Sequence, residues 1–219
     1  MKINIAIDGP SAAGKSTIAK LLAKDLDYVH LDTGAMYRCV GYSALLNDID
    51  LENELEIEKM MGNMNISFDS KGNVYINDND VSKEIRQNKV SMVTSKISAY
   101  PKVRKLLVEQ QQELAKSKGY IMDGRNIGTV VLPDAELKIY MVASVKARAD
   151  RRYKEYIEKD IEADYDEIYR DIEQRDYQDI NRKTSPLRQA DDAIKLDTSD
   201  MTIDEVVTAI RKLIKEKLW

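Results

Sequence analysis

A chain of 219 residues with 43% hydrophobic and 33% charged residues is typical of a globular protein with a sizeable core, and one domain is expected. The net charge of −4 does not favour a protein that coats nucleic acid. One cysteine, Cys39, and one histidine, His30, exclude an internal disulfide and a multi-cysteine zinc site, and we interpret both as structural. Since no stretch reaches the roughly 18 apolar residues of a membrane span and no leader precedes the first strand, we expect a cytoplasmic protein without membrane contact.

Strand and helix patterns alternate along the chain, which predicts an α/β fold with a parallel sheet flanked by helices. Strands are predicted at 3–7, 28–31, 120–122, 137–142 and 193–196. An amphipathic helix follows the first strand, and another ends the chain. Thr202 and Glu205 have the spacing of a capping box ahead of the apolar stripe of this last helix, which we place on Ile203, Val206, Val207, Ile210, Leu213 and Ile214.

Two regions break this alternation. In residues 64–81, Ile66 and Phe68 face Val74 and Ile76 across a polar turn, which predicts a β-hairpin inserted between helices. The stretch 153–180 is rich in charged residues and tyrosine and has no strong apolar stripe. A solvated pair of helices and a mobile lid are both compatible with it.

The segment Gly9–Ser16 matches the pattern G-x4-G-K-[ST], with a strand before it and an amphipathic helix after it. Glycines let the backbone curl around phosphate oxygens, and the helix N-terminus favours an anion. We expect Lys15 to reach the β- and γ-phosphates of ATP and the Ser16 hydroxyl to bind Mg²⁺. The predicted ATP-binding segment consists of Gly9, Pro10, Ser11, Ala12, Ala13, Gly14, Lys15, Ser16 and Thr17.

Nucleotide-dependent switches and kinases share this loop, so other residues must decide between them. A guanine-specific switch is disfavoured, because 88–91 lacks the aspartate of N-K-x-D and 123–126 departs from D-x-x-G. A kinase for a small phosphorylated acceptor needs a second cationic site. Arginines near predicted strand ends and turns are candidates, although each alone is also compatible with a surface ion pair: Arg38, Arg104, Arg125, Arg175 and Arg182.

Several motifs in one order resemble those of the bacterial cytidylate kinases over nearly the whole chain. They are 9–17, 32–38, 100–104, 123–129 and 175–182, together with the hairpin insertion. The resemblance implies an ATP-dependent kinase that phosphorylates CMP or dCMP, with Mg²⁺ as cofactor, as a monomer without a nucleic-acid partner. It also implies a core at about 1–34, 102–152 and 181–219, an acceptor-binding insertion at about 35–101, and a lid at about 153–180.

The resemblance assigns roles residue by residue. Arg38 and Arg125 would bind the acceptor phosphate, Arg182 would neutralise the transferring group, and Thr33 belongs to the substrate contacts. Ser95, Arg104 and Asn126 would read cytosine, whereas Arg175 and Asp179 would hold the sugar. Asp123 is a candidate partner of Mg²⁺ or its waters. Arg148, Arg151 and Arg152 would close over ATP, although a solvated basic helix face remains an alternative for them.

One position departs from the commoner family pattern, which has aspartate where this chain has Asn126. The phosphate-handling motifs are intact, so this departure concerns the choice of base. A kinase with a broader pyrimidine range that includes UMP therefore stays open, as does a nucleotide-binding switch module from a different class.

Overall fold

The computed structural model describes residues 2–69, 72–158 and 160–218. The strands are β1 (Ile5–Asp8), β2 (Val29–Asp32), β3 (Ile66–Phe68), β4 (Val74–Ile76), β5 (Asn79–Asp80), β6 (Tyr120–Gly124), β7 (Leu137–Val142) and β8 (Ile194–Asp197). The α-helices are α1 (Lys15–Leu26), α2 (Thr33–Leu46), α3 (Glu54–Met61), α4 (Asn88–Ile97), α5 (Pro101–Ala115), α6 (Val145–Glu158), α7 (Tyr165–Asn181) and α8 (Ile203–Leu218). A 3₁₀ turn spans Glu84–Arg86, and a π-helical turn spans Ile127–Val131.

The main sheet has five strands in the order β2-β6-β1-β7-β8. β1 pairs in parallel with both β6 and β7, and β7 pairs in parallel with β8. Parallel neighbours need crossover connections, which the helices provide. The predicted α/β fold with a parallel sheet is confirmed, although the first strand begins two residues later than predicted, at Ile5.

The chain forms two compact units, residues 1–28 with 118–219, and residues 29–117. The functional division into core, insertion and lid, which has other boundaries, stays a prediction. Among the described residues, no helix combines the length and the apolar composition needed to cross a bilayer.

The core of the first unit lies between β1, β6, β7 and the helices α1 and α8. Ile5 and Ile7 of β1 are fully buried, because both faces of a central parallel strand are covered. The predicted capping box of α8 is present: Thr202 N donates to Glu205 Oε2 at 2.8 Å, and Glu205 N donates to Thr202 Oγ1 at 3.3 Å. The predicted apolar stripe is confirmed at Val206, Val207, Ile210 and Ile214. It was wrong at Ile203, which is 53% exposed in the first turn of the helix.

The stretch predicted as a helical pair or a lid contains the end of α6 and nearly all of α7. These helices pack through a small buried cluster of Ala149, Ile168 and Ile172, with tyrosines around it. Tyr153 and Tyr165 meet edge to face with ring centroids 5.7 Å apart. A helical pair is therefore present, with a small core of its own.

The second unit, 29–117, contains the predicted hairpin. Ile66 pairs with Ile76 and Phe68 with Val74 in an antiparallel ladder, which confirms the prediction. Part of its turn, residues 70–71, lies outside the described residues. The short strand β5, which was not predicted, extends this sheet. In the same unit α2 packs against α4, and Cys39 on α2 is fully buried, as expected.

Candidate active site

The loop between β1 and α1 has a backbone that requires glycine at two positions. A Cβ on Gly9 would lie 2.0 Å from the carbonyl oxygen of Met141, so no side chain fits there. Gly14, just before α1, has φ 87°, in the left-handed region. Since α1 begins at Lys15, its unsatisfied N–H groups follow this loop directly and favour an anion.

Lys15 is buried at the base of this loop. Its Nζ donates to the carbonyl oxygen of Pro10 at 2.8 Å. Burial, followed by the charge of Arg125, lowers the pKa of Lys15 to about 7, against the opposing effect of nearby carboxylates such as Asp123 and Asp8. A bound phosphate would add negative charge and favour the protonated amine, so Lys15 is suited to a polyanion.

Ser16 is joined to the end of β6. Its Oγ donates to Asp123 Oδ2 at 2.7 Å. A hydroxyl and a carboxylate oxygen are the hard ligands that Mg²⁺ prefers. Among the described residues no group of three or more acidic, histidine or cysteine side chains could hold a metal. A Mg²⁺ ion carried by nucleotide phosphates usually takes only one or two protein ligands, so this pair fits it.

Asp8, at the end of β1, binds the backbone of the segment that follows β6. It was not identified as a site residue from the sequence. Its two carboxylate oxygens accept from Ile127 N and Gly128 N, each at 2.7 Å. The side chain is buried, and this burial raises the pKa of Asp8 against the lowering effect of these bonds and of Lys15. The carboxylate thereby fixes the backbone next to Arg125 and Asn126.

Asp179 on α7 brings together two of the predicted arginines. Arg125 Nε donates to Asp179 Oδ2 at 2.6 Å, and Arg182 Nη1 lies 3.6 Å from Asp179 Oδ1. Arg182 also donates from Nε to the carbonyl oxygen of Ser185 at 2.6 Å. Arg175, on the same helix, is exposed. The carboxylate predicted to bind the sugar therefore also holds a guanidinium predicted to bind phosphate.

The three arginines of α6 are not a solvated basic face. Arg148 is 3% exposed and pairs with Asp176 of α7. Arg151 donates to the carbonyl oxygen of Thr198. Arg152 lies against Tyr156, with its Nη2 3.0 Å from the phenol oxygen. The ATP-binding role of Arg148 and Arg152 stays a prediction.

In the second unit, Asp32 organises the start of α2. Its Oδ1 accepts from Ala35 N at 3.0 Å as an N-cap, and its Oδ2 accepts from Arg38 Nη2 at 3.0 Å. Thr33 is buried in the first turn. Arg38 Nε is buried without a hydrogen-bond partner among the described residues. One part of this guanidinium is therefore positioned while another is unsatisfied.

Arg104 on α5 is 4% exposed and stacks over Tyr37, 5.3 Å from the ring centroid. Its Nη1 donates to the carbonyl oxygen of Ser98 at 3.2 Å, and its buried Nε makes no hydrogen bond within the described part of the chain. Ser95 on α4 is exposed. In the first unit, the buried Asn126 Nδ2 likewise has no partner among the residues described. An unpaired buried donor is costly, so each of these atoms is suited to a ligand oxygen.

Comparison with known proteins adds the family. Residues 5–216 match the family described as Cytidylate kinase. A cytidylate kinase of Enterococcus faecalis is 51% identical over 219 residues, covering 99% of this chain and 97% of that protein. One from Streptococcus mutans is 52% identical over 217 residues, covering 97% and 96%. Among solved structures, an uncharacterized protein from Eubacterium ventriosum has a TM-score of 0.51 at 14% identity over 99% of both chains, a likeness in fold alone.

Proposed function

The chain belongs to the cytidylate kinase family, and from this premise we propose that it transfers the γ-phosphoryl group of ATP to CMP or dCMP. The main structural support is the hydrogen bond of 2.7 Å between Ser16 in the phosphate loop and Asp123 near the end of β6. Arg125 follows directly after this strand. The hydrogen bond joins the loop predicted to hold ATP to the segment predicted to hold the acceptor phosphate.

The reaction needs little covalent chemistry from the protein. Negative charge on the transferring phosphoryl group must be stabilised, and the two substrates must be aligned. Lys15 would contact the ATP phosphates, Arg125 and Arg38 the acceptor phosphate, and Arg182 the group in transfer. Such preorganised cations act most strongly where water is excluded, and Lys15, at 5% exposure, lies in such a place.

Ser16 and Asp123 would hold Mg²⁺ together with the ATP phosphates. When bound there, the ion would neutralise negative charge on the phosphates. The rest of the phosphate loop, residues 9–17, would bind the triphosphate, with Arg148 and Arg152 as further predicted ATP contacts.

For the acceptor, we propose the residues that the family resemblance indicates. Ser95, Arg104 and Asn126 would read the base, Arg175 and Asp179 would hold the sugar, and Thr33 would be a further contact. The buried Nε atoms of Arg38 and Arg104 support this assignment, because oxygen atoms of the bound nucleotide would accept hydrogen bonds from them. We further propose that the protein acts as a cytoplasmic monomer on these small molecules.

Asn126 favours a second candidate, a kinase that also accepts UMP. Cytosine presents an amino donor where uracil presents a carbonyl acceptor, and an ionised aspartate would only accept. The carboxamide carries both an oxygen and an NH₂ group, and its Nδ2 has no partner among the described residues. It would therefore accept from cytosine or donate to uracil with less penalty for the wrong base.

The test is a coupled assay of ADP release with ATP and Mg²⁺, in the absence of acceptor and with CMP, dCMP, UMP or AMP. We expect fast release with CMP and dCMP, slower release with UMP, and background release otherwise. Release that does not depend on CMP would refute the kinase assignment. Equal kcat/KM for CMP and UMP would instead favour the broader pyrimidine kinase.

A further inference from the structure

Arg148 connects three parts of the unit formed by 1–28 and 118–219. Its Nε donates to the carbonyl oxygen of Ala143, just after β7, at 2.9 Å. Its Nη1 donates to the carbonyl oxygen of Ser11 in the phosphate loop at 3.0 Å. Nη1 and Nη2 donate to the two oxygens of Asp176 on α7 at 3.0 and 2.5 Å. One planar group thus holds the phosphate loop through a single hydrogen bond and α7 through a two-point pair.

This pair is shielded from solvent. The side chains of Arg148 and Asp176 are 4% and 17% exposed, so salt screens their attraction little. Either charge alone would be costly to bury, which favours keeping the two together. A second contact supports the link, because Ala12 of the phosphate loop packs against the cluster of Ala149, Ile168 and Ile172 between α6 and α7. Two successive loop residues therefore contact the helical pair or its arginine.

The same face of α7 carries the arginine-holding carboxylate of the site. Asp176 and Asp179 are three residues apart, so they lie on neighbouring positions of one helix face. Asp179 binds Arg125 and lies close to Arg182. The position of α7 relative to the phosphate loop therefore sets where these two guanidinium groups lie relative to Lys15.

We propose that Arg148 and Asp176 are positioning residues for phosphoryl transfer, which hold α7 and the phosphate loop in one relative placement. This rests on the proposed function. It differs from the prediction that Arg148 contacts ATP directly, since the hydrogen bonds of Arg148 occupy four of the five N–H groups of its guanidinium. If α7 moved by a small amount, Asp179 would move with it, and Arg125 and Arg182 would be misplaced.

A double-mutant cycle tests this proposal. Arg148→Lys keeps the charge without the two-point pair, and Asp176→Asn keeps the shape without the charge. Because small misplacements cost rate, we expect each single variant to lower kcat about tenfold with the KM of ATP and CMP changed less than about threefold. The double variant should also lose about tenfold, since the second change has nothing further to break.

Two further measurements keep the test independent of acceptor chemistry. Amide hydrogen exchange without substrates should rise in residues 9–16 and in α7 in each single variant, and no further in the double variant. The melting temperature of each variant reports whether it folds. Asp176→Glu keeps a carboxylate for Arg148 and should retain more turnover than Asp176→Asn. If Arg148→Lys does not fold, this comparison of the two Asp176 variants serves as the test.

The matched control is the exposed pair of Arg211 and Asp25, at 50% and 36% side-chain exposure. Arg211→Lys with Asp25→Asn should leave kcat within about twofold.

The proposal would be overturned if the kcat of the double variant Arg148→Lys with Asp176→Asn fell by the product of the two single losses. Tighter ADP binding by Asp176→Asn with unchanged kcat, the result expected if a released Arg148 bound nucleotide directly, would overturn it too. A wild-type protein that does not phosphorylate CMP would refute the proposed function, and the exchange cycle would still test the pair.

Discussion

The phosphate loop and the buried arginines of the unit 29–117 satisfy their polar groups in opposite ways. In the loop region, Lys15 is bonded to Pro10 and Ser16 to Asp123. In the other unit, Arg38 and Arg104 each bury an Nε for which the described residues offer no partner. The phosphate loop therefore has hydrogen-bond partners within the protein, whereas the unit 29–117 has buried donors that a ligand could satisfy.

The two regions are therefore expected to bind their ligands by different exchanges of hydrogen bonds. The loop must exchange an internal bond for a phosphate contact, which it can do because charge on the ligand outweighs a neutral carbonyl. The Nε groups of Arg38 and Arg104 give up no hydrogen bond, so a ligand with acceptor atoms at the right places removes the full cost of an unpaired buried donor. Selectivity for the acceptor is expected to be sharper than selectivity for the donor.

The largest effect is expected from Lys15→Ala. Removal of this cation should lower kcat by roughly 10²- to 10³-fold, the range found for one preorganised electrostatic group. The fold should persist, because Lys15 contributes charge to the site and its internal bond is to a loop carbonyl. Turnover with ATP and CMP, beside the exposed Lys20→Ala on the same helix as control, provides the measurement. Near-normal turnover would contradict the assignment of the loop.

Arg125→Lys is expected to lower kcat/KM for CMP by more than about tenfold, or roughly 1.4 kcal/mol. Arg125 Nε is bonded to Asp179, which leaves the terminal nitrogens to grip a phosphate, and lysine cannot do both. Steady-state kinetics with varied CMP measure the loss. Unchanged CMP kinetics would mean that Arg125 does not bind the acceptor phosphate.

A smaller, selective effect is expected from Asn126→Asp. The ratio of kcat/KM for CMP over UMP should rise several-fold, because a carboxylate accepts from cytosine and repels the uracil oxygen, a difference of about 1 kcal/mol or more. Both substrates are measured on wild type and variant under one set of conditions. A ratio that stays the same or falls would mean that Asn126 does not read the base in this way.

The last expected effect is on stability and not on turnover, and it is a trend with pH. The pKa of Lys15 falls to about 7 on folding, from a reference value of 10.5. Between these values the unfolded chain keeps a proton that the folded chain has lost, so this group adds stability as pH rises through the window. The melting temperature of Lys15→Met minus that of wild type should therefore decrease from pH 6 to pH 10. A difference that is constant with pH, or equal to that of Lys20→Met, would contradict it.

The sequence predicted the parts of the site that have local patterns. The strand and helix predicted on either side of the G-x4-G-K-S loop are confirmed, and so is the hairpin predicted from the alternation around Ile66 and Val74. The family prediction is also confirmed. Asp8 and Asp176 were missed as partners, because an aspartate at a strand end or on a charged helix has no periodic signal. Arg148 and Asp176 are 28 residues apart, and only the packing of α6 on α7 brings them together.

The short strand β5 was missed for a related reason. Asn79 and Asp80 are polar and exposed, so neither burial nor β-propensity marks them, and their pairing depends on β4 beside them. The roles of the predicted site residues were inferred from motifs, and they stay predictions for the experiments above.

The most direct test of the contrast between partnered and unpartnered donors is nuclear magnetic resonance of the arginine Nε–H groups. Signals of Arg38, Arg104 and Arg148 would be assigned with single Arg→Lys variants and followed as CMP is added without ATP. The account predicts that the signals of Arg38 and Arg104 move with CMP, while that of Arg148, whose Nε is bonded to Ala143, stays in place. Stationary signals from Arg38 and Arg104 at saturating CMP would contradict it.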